Sequence, residues 1–365
     1  MKLRAVLSAA VLLAAAASTA AAAAAGACDV YRGRWVLDES YPLYDSGRCP
    51  FVRRQFDCRR GGRPDELYLR YRWQPDPPCP PRLPRFDGRA LLRAWRGKVA
   101  MFVGDSLVVN QYESLLCMLH AAAPGTRTTM GSGKKLGPST SVRFEGDYNV
   151  TLVYYRTSYL VDIVNKKDGR VLKLDSLEEG RNWLGADVLV FGSWHWWPRS
   201  GLTTQPWDYI QEGDTVVKDM NRTLAFTKAL RTWAAWVDTN LVKTKTKVFF
   251  QGITPNHYWG DYRECRGPEW GGSPWKTCKG ETRPLNGTAP YPGGPVRQEA
   301  ALRSVLARMA KPVHLLDITF LSQQRMDAHP SNYTGGVNAD DCSHWCVPGL
   351  PTTWNVLFYA ALTGR

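Results

Sequence analysis

Lys98-Val99-Ala100-Met101-Phe102-Val103-Gly104-Asp105-Ser106 decides how this chain is read. An apolar run ends in Gly-Asp-Ser. From Leu107 to His120, apolar residues at 107, 108, 115, 116, 118 and 119 then suit a buried helix. A strand therefore stops and a helix starts at Ser106. A hydroxyl at that junction lies at the carboxyl end of a strand and at the amino end of a helix, where free backbone N–H groups and the helix dipole stabilise a developing oxyanion. Ser106 is the candidate nucleophile. The bare tripeptide also fits an ordinary turn with a helix N-cap, so the question is whether the chain supplies a base for the serine.

The C-terminal part supplies one. Asp341-Cys342-Ser343-His344 precedes the last apolar segment, Trp354 to Leu362, and an Asp three residues before a His can orient its imidazole from one local turn. The order Ser106, Asp341, His344, with the last two nearly adjacent, resembles that of SGNH or GDSL-type esterases. More specifically, the chain resembles the plant trichome-birefringence-like family of polysaccharide O-acetyltransferases, from about Ala27 to the C-terminus. The resemblance is carried by Gly104 to Gln111 (Gly-Asp-Ser-Leu-x-x-Asn-Gln) and by Asp341 to Gly349 (Asp-Cys-Ser-His-Trp-Cys-x-Pro-Gly). An N-terminal block adds Cys28, Gly33, Trp35, Asp38, Cys49, Cys58, Gly62-Arg-Pro-Asp and Tyr71-Arg-Trp-Gln-Pro.

The resemblance implies an acetyltransferase of wall polysaccharide, xylan or pectin among others, with Ser106, His344 and Asp341 as triad; the alternatives are an acetyl esterase with the same triad and a non-catalytic wall-polysaccharide-binding protein. It also implies a Golgi type II membrane protein with a luminal catalytic domain. Two positions depart from the family pattern. Val109 stands where many relatives have Arg, and Phe191-Gly-Ser-Trp-His-Trp-Trp places Gly192 where an Asn is usual. If that Asn served as an oxyanion donor, a backbone N–H or another side chain must replace it. Gly104, Asp105, Asn110 and Gly192 are the weaker candidates for shaping that site.

The whole chain agrees with a secretory enzyme. With 365 residues, 44% of them hydrophobic, it can bury a sizeable core. Residues 1–26 are a basic start followed by an Ala/Val/Leu-rich stretch, read as a signal peptide or a type II signal anchor. Residues 27–96, rich in Arg, Pro, Tyr and Cys, read as a small disulfide-stapled subdomain, and 97–365 as the acyltransferase domain. The net charge of +14 points to an acidic partner. Long basic runs and nucleic-acid-binding signatures are lacking, which discounts nucleic acid and leaves anionic lipid or acidic polysaccharide.

Nine cysteines in an oxidising compartment imply disulfides with at least one thiol left over. The expectation is bridges within the N-terminal block and near Asp341, one between Cys265 and Cys278, and Cys117 free. No Cys-x-x-Cys or His-x-His suggests a metal, and no glycine loop suggests a nucleotide cofactor. Catalysis would instead need an acetyl donor, acetyl-CoA or an intermediate derived from it, or a donor-supplying membrane protein as partner. Sequons at Asn149, Asn221, Asn286 and Asn332 agree with luminal exposure.

Strand candidates at Val142–Phe144, Val150–Tyr155, Asp187–Gly192, Lys247–Gln251 and Val313–Asp317 alternate with helical stretches at Asp219–Val237 and Val296–Ala310. The predicted fold is α/β: an SGNH/GDSL-like three-layer α/β/α sandwich with a parallel central sheet, its site at the carboxyl ends of the strands. Trp194, Trp196 and Trp197 follow a buried strand and are expected to line that site as sugar-facing walls. His195 and His257, on strand-end loops, are expected substrate contacts. The loop from Pro255 to Pro295 reads as a substrate-binding lid.

Overall fold

The computed structural model describes residues 27–131, 138–199, 205–258, 277–285, 296–336 and 340–364. In chain order it contains β1 (Gly33–Leu37), β2 (Tyr71–Pro75), α1 (Gly88–Ala94), β3 (Val99–Gly104), α2 (Ser106–Ala122), β4 (Thr128–Gly131), β5 (Ser139–Phe144) and β6 (Val150–Arg156). Next come β7 (Ile163–Lys166), β8 (Gly169–Lys173), β9 (Val188–Gly192), β10 (Tyr209–Glu212), β11 (Thr215–Val217) and α3 (Arg222–Leu241). The chain closes with β12 (Lys247–Gln251), α4 (Arg297–Leu306), β13 (Val313–Leu316), α5 (Thr319–Gln323) and α6 (Leu350–Thr363).

The central sheet runs β13-β12-β9-β3-β6-β5-β4. From β13 to β6 the neighbours are parallel, and β5 and β4 extend that edge antiparallel. Residues of successive strands alternate between two cores, as the two-residue period of a strand requires. Ala100 and Phe102 of β3, with Val188 and Val190 of β9, join the core formed with α1, α2 and α6. Met101, Val103, Leu189 and Phe191 join the opposite core with α3 and α4. The architecture is the expected three-layer α/β/α. A separate sheet, β11-β10-β8-β7, carries Ile210 and Leu172 into the second core.

Helix α2 is buried along almost its whole length, from Leu107 to Leu119. This explains why its sequence is apolar on more than one face. Its N-terminus is capped by Asp105, whose carboxylate accepts from Leu107 N at 2.9 Å. The cap stands one residue earlier than the serine, so Ser106 is the first helical residue with its side chain unspent on capping. Two glycines permit this junction. A Cβ on Gly104 would lie 2.2 Å from Gly192 O, and one on Gly192 would lie 2.5 Å from Val108 Cγ2. The ends of β3 and β9 approach too closely for any side chain.

The N-terminal subdomain forms β1 and β2, paired antiparallel with Trp35 opposite Trp73, and is stapled internally by Cys28–Cys79. It is also fastened to the larger domain. Trp35, Trp73, Tyr44, Phe51 and Phe56 belong to the core over α2 and α6, and Trp35 Nε1 donates to Leu321 O at 2.9 Å.

Two cysteine expectations need correction. Cys117 is not free: Cys49 reaches out of the N-terminal block to pair with it, because that block packs directly on α2. Cys278 pairs with Cys342 instead of Cys265, since its loop lies against the Asp341 turn, where Cys278 N donates to His257 O and His257 N to Cys342 O. Cys58 pairs with Cys346 across 288 residues. Cys265 and most of the predicted lid, residues 259–276 and 286–295, lie outside the described residues, as do Asn286 and residues 1–26. Among the described residues no helix is long and apolar enough to cross a membrane.

Candidate active site

Gly104, Gly192 and Gln251 end β3, β9 and β12 side by side, and Ser106 stands just beyond them. Ser106 Oγ donates to His344 Nε2 at 2.7 Å, and His344 Nδ1 donates to Asp341 Oδ2 at 2.8 Å. The three residues named from the sequence therefore meet in one hydrogen-bonded chain, although Ser106 and His344 are 238 residues apart. Asp341 is buried. Its other oxygen accepts from His344 N at 3.0 Å, Ser343 N at 3.1 Å and Ser343 Oγ at 3.0 Å. Burial pushes the Asp341 carboxyl up, but the charge of His344 and the hydrogen bonds from His344 and Ser343 outweigh it and hold it well below the usual carboxylate range. An ionised Asp341 fixes the tautomer that leaves the Nε2 lone pair facing Ser106.

Several groups position the His344 turn. Asn110, one turn into α2, takes both backbone groups of Trp345: Nδ2 donates to Trp345 O and Trp345 N donates to Oδ1, each at 3.2 Å. Its amide is thus committed to holding the turn, which corrects its reading as a shaper of the oxyanion site. Phe56 lies 5.1 Å from the His344 ring, centroid to centroid, and Val347 N donates to Phe56 O at 2.8 Å. His329 Nδ1 donates to His344 O at 2.6 Å while its ring stacks on Trp345 at 3.8 Å.

His257 is not a substrate contact from an open loop. It is fully buried behind the turn, 2.6 Å from His329 Nε2, and burial pushes its pKa down to about 3. Sequence reasoning missed His329 because its partners come from a distant turn. Ser343 was legible as part of the motif but not as a donor to Asp341.

The second layer around Ser106 comes from β9 and the loop after it. Asp105 accepts from the N–H groups of Leu107, His195 and Val108, tying that loop to the start of α2. Burial raises its carboxyl to about 6 against those bonds and the nearby His344. His195 is buried, with its ring 5.8 Å from that of His344. Burial, then the charges of His344 and Arg199, push its pKa well below the ordinary histidine value, so it stays an uncharged imidazole.

The tryptophans after β9 are mostly packing. Trp194 and Trp197 are buried in the second core against Phe226, with Trp197 Nε1 donating to Ser193 Oγ at 2.9 Å. This corrects their reading as sugar-facing walls: the loop turns inward under α3. Only Trp196 of the three is part-exposed, with Arg199 3.8 Å above its ring.

Among the described residues, the group able to gather three metal-ligating atoms is Cys278, Asp340 and Cys342. Both of its sulfurs are spent in the Cys278–Cys342 bridge. Three sequons, at Asn149, Asn221 and Asn332, are on exposed residues.

A serine that opens the chain's central helix and an Asp-x-x-His that closes the domain, on a three-layer parallel sheet, define the class as SGNH-like acyl esterases and acyltransferases. Comparison with known proteins narrows the class. Residues 83–361 match the GDSL/SGNH-like acyl-esterase family found in Pmr5 and Cas1p, and residues 26–79 match the PMR5 N-terminal domain. The chain is 53% identical to protein trichome birefringence-like 38 of Arabidopsis thaliana over 92% of its own length and 84% of that protein. It is 51% identical to protein trichome birefringence-like 40 (93% and 88%), and 38% identical to protein trichome birefringence-like 6 (92% and 70%), both also from Arabidopsis thaliana. The chain belongs to this trichome-birefringence-like branch of the GDSL/SGNH-like acyl-esterase family.

Proposed function

We propose that this protein is an O-acetyltransferase of plant cell-wall matrix polysaccharide, xylan or pectin, working in the Golgi lumen from a membrane anchor in residues 1–26. The observation that carries the reading is the hydrogen-bonded chain Ser106–His344–Asp341 at the strand ends. Ser106 Oγ gives its proton to His344 Nε2 and forms a bond to the carbonyl carbon of an acetyl donor, acetyl-CoA or an intermediate derived from it. The donor's leaving group departs with that proton. A sugar hydroxyl then gives its proton to His344 as its oxygen attacks the acetyl carbon, and Ser106 Oγ leaves with the proton restored. The net charge of +14 supports an acidic acceptor, a galacturonan or a xylan bearing glucuronic acid.

A second reading is favoured by the family's description as acyl-esterases: water in place of the sugar would make the protein a deacetylase with the same residues. The experiment that separates the two supplies a labelled acetyl donor with a panel of wall oligosaccharides and measures acetylated product and free acetate together. Acetate as the sole product contradicts transfer. Salt tests the acceptor. Binding to an acidic polysaccharide is expected to weaken as ionic strength rises, while binding to a neutral glucan changes little. Equal salt slopes for the two contradict a charge-led choice of acceptor.

A further inference from the structure

The geometry points to Gln251 as the side-chain donor that stabilises the oxyanion formed at Ser106, with Thr254 as a second polar wall of the same cavity. The inference rests on the serine reading above and adds to it the groups that meet the negative oxygen. Between the ends of β9 and β12 lies a cavity of about 10 Å³, lined by Asp105, Leu107, Gly192, His195, Gln251 and Thr254 among others. That is close to the room one oxygen-sized group requires. Asp105 and Leu107 flank Ser106 in the chain, and His195, on the same lining, has its ring 5.8 Å from that of His344.

Two of its polar walls are unspent. Gln251 and Thr254 are only 3% and 4% exposed, and neither Gln251 Nε2 nor Thr254 Oγ1 has a hydrogen-bond partner among the described residues. Burying an unpaired amide or hydroxyl is unfavourable, a cost recovered when an anionic oxygen fills the cavity.

The backbone explains why the donor comes from β12. Gly192 carries no side chain, and a Cβ there would sit 3.0 Å from Gln251 Oε1. The Gln251 carboxamide therefore fills the space a side chain from β9 would take. On the opposite wall, Asp105 consumes the N–H groups of Leu107 and Val108, while the N–H of Ser106, the first in α2, has no acceptor within its helix. When Ser106 Oγ bonds to the acyl carbon, the carbonyl π pair moves onto its oxygen. Ser106 N–H and Gln251 Nε2–H then donate to that oxygen until the tetrahedral adduct collapses, re-forms the carbonyl and expels the leaving group.

The test uses the full chain with 4-nitrophenyl acetate as the acyl probe and a fluorophosphonate that labels activated serines. Gln251→Met keeps the bulk and loses the donor, Gln251→Asn keeps a carboxamide, and Thr254→Val is isosteric without the hydroxyl. Gln251→Met is expected to lower kcat about 10²-fold with KM nearly unchanged, Thr254→Val less, and Gln251→Asn to retain more activity than Gln251→Met. Should Gln251→Met fail to fold, Gln251→Asn and Thr254→Val carry the test through their smaller falls in kcat at constant KM. Wild-type-like kcat in the folded variants, with Ser106 still labelled, overturns the assignment of Gln251 alone. A wild-type protein whose Ser106 is neither labelled nor acetylated overturns the serine reading and this inference with it.

Discussion

Replacing Cys58 and Cys346 together by alanine opens a covalent loop that joins residues 288 apart. The chain-entropy relation puts the stabilisation from that bridge at about 5 kcal/mol, after allowing for the shorter path left by the Cys49–Cys117 and Cys278–Cys342 bridges. That is a third or more of the net stability of an ordinary domain, about 5–15 kcal/mol. The bridge also holds the site, because Cys346 is two residues beyond His344 and Cys58 two beyond Phe56, whose ring packs on His344. After its removal the turn is still held by Cys346 N donating to Ala328 O at 2.9 Å, Val347 N to Phe56 O and Asn110 to Trp345. The expected result is a large fall in stability with a smaller fall in turnover, about tenfold, well short of the 10²-fold that a 1 Å misplacement can cost. Urea unfolding of the wild type and double variant, with acetyl turnover measured on both well below the transition, reads the two effects separately. A loss of stability under about 1 kcal/mol, or a complete loss of turnover in a folded double variant, refutes the reasoning.

Asp105→Asn keeps the acceptor that caps α2 and removes a buried charge. The folded carboxyl is raised to about 6 from the ordinary 3.8, so the folded chain holds its proton more tightly. Its contribution to stability therefore falls as pH rises from about 4 to 6, reaching a cost of about 3 kcal/mol at neutral pH. The variant is expected to be more stable than wild type at pH 7 and little changed at pH 4, as read by urea midpoints. Asp341→Asn goes the other way: its carboxyl is depressed in the fold, so the stability it supplies above about pH 4 is lost on acidification and the variant lacks that loss. Asn110→Ala leaves Trp345 N and O unpaired in a buried turn. It is expected to cost about 2 kcal/mol or more and to lower turnover by loosening His344, whereas unchanged unfolding would show that Asn110 does not clamp the turn.

The strand-to-helix unit around Ser106 was legible because its signals are local: an apolar run, a Gly-Asp-Ser junction and a helical period in consecutive residues. Asp341 and His344 were legible for the same reason, since one turn holds both. What was hidden depends on pairing across the fold. Cys117 looked free because its partner, Cys49, lies in a block that packs on α2 only in three dimensions. His329 had no visible partner until the His344 turn was brought against it. Trp194 and Trp197 were placed at the correct strand end but on the wrong side of the backbone, because a loop after a strand has no two-residue period to fix which way its rings point. Gln251 was read only as the end of a strand. Its significance appears when Gly192 is seen to leave room for its carboxamide.

The central claim is that Ser106 carries an acetyl group in turnover, and intact and peptide mass spectrometry of the enzyme quenched with its acetyl donor and no acceptor tests it most directly. The account predicts one acetyl group on Ser106, absent in Ser106→Ala, greatly slowed in His344→Ala and Asp341→Ala, and discharged when acceptor oligosaccharide is added. Double and triple variants should lose no more than the single ones, because the three residues act as a unit. Acetylation at another residue, or undiminished turnover in Ser106→Ala, would contradict it.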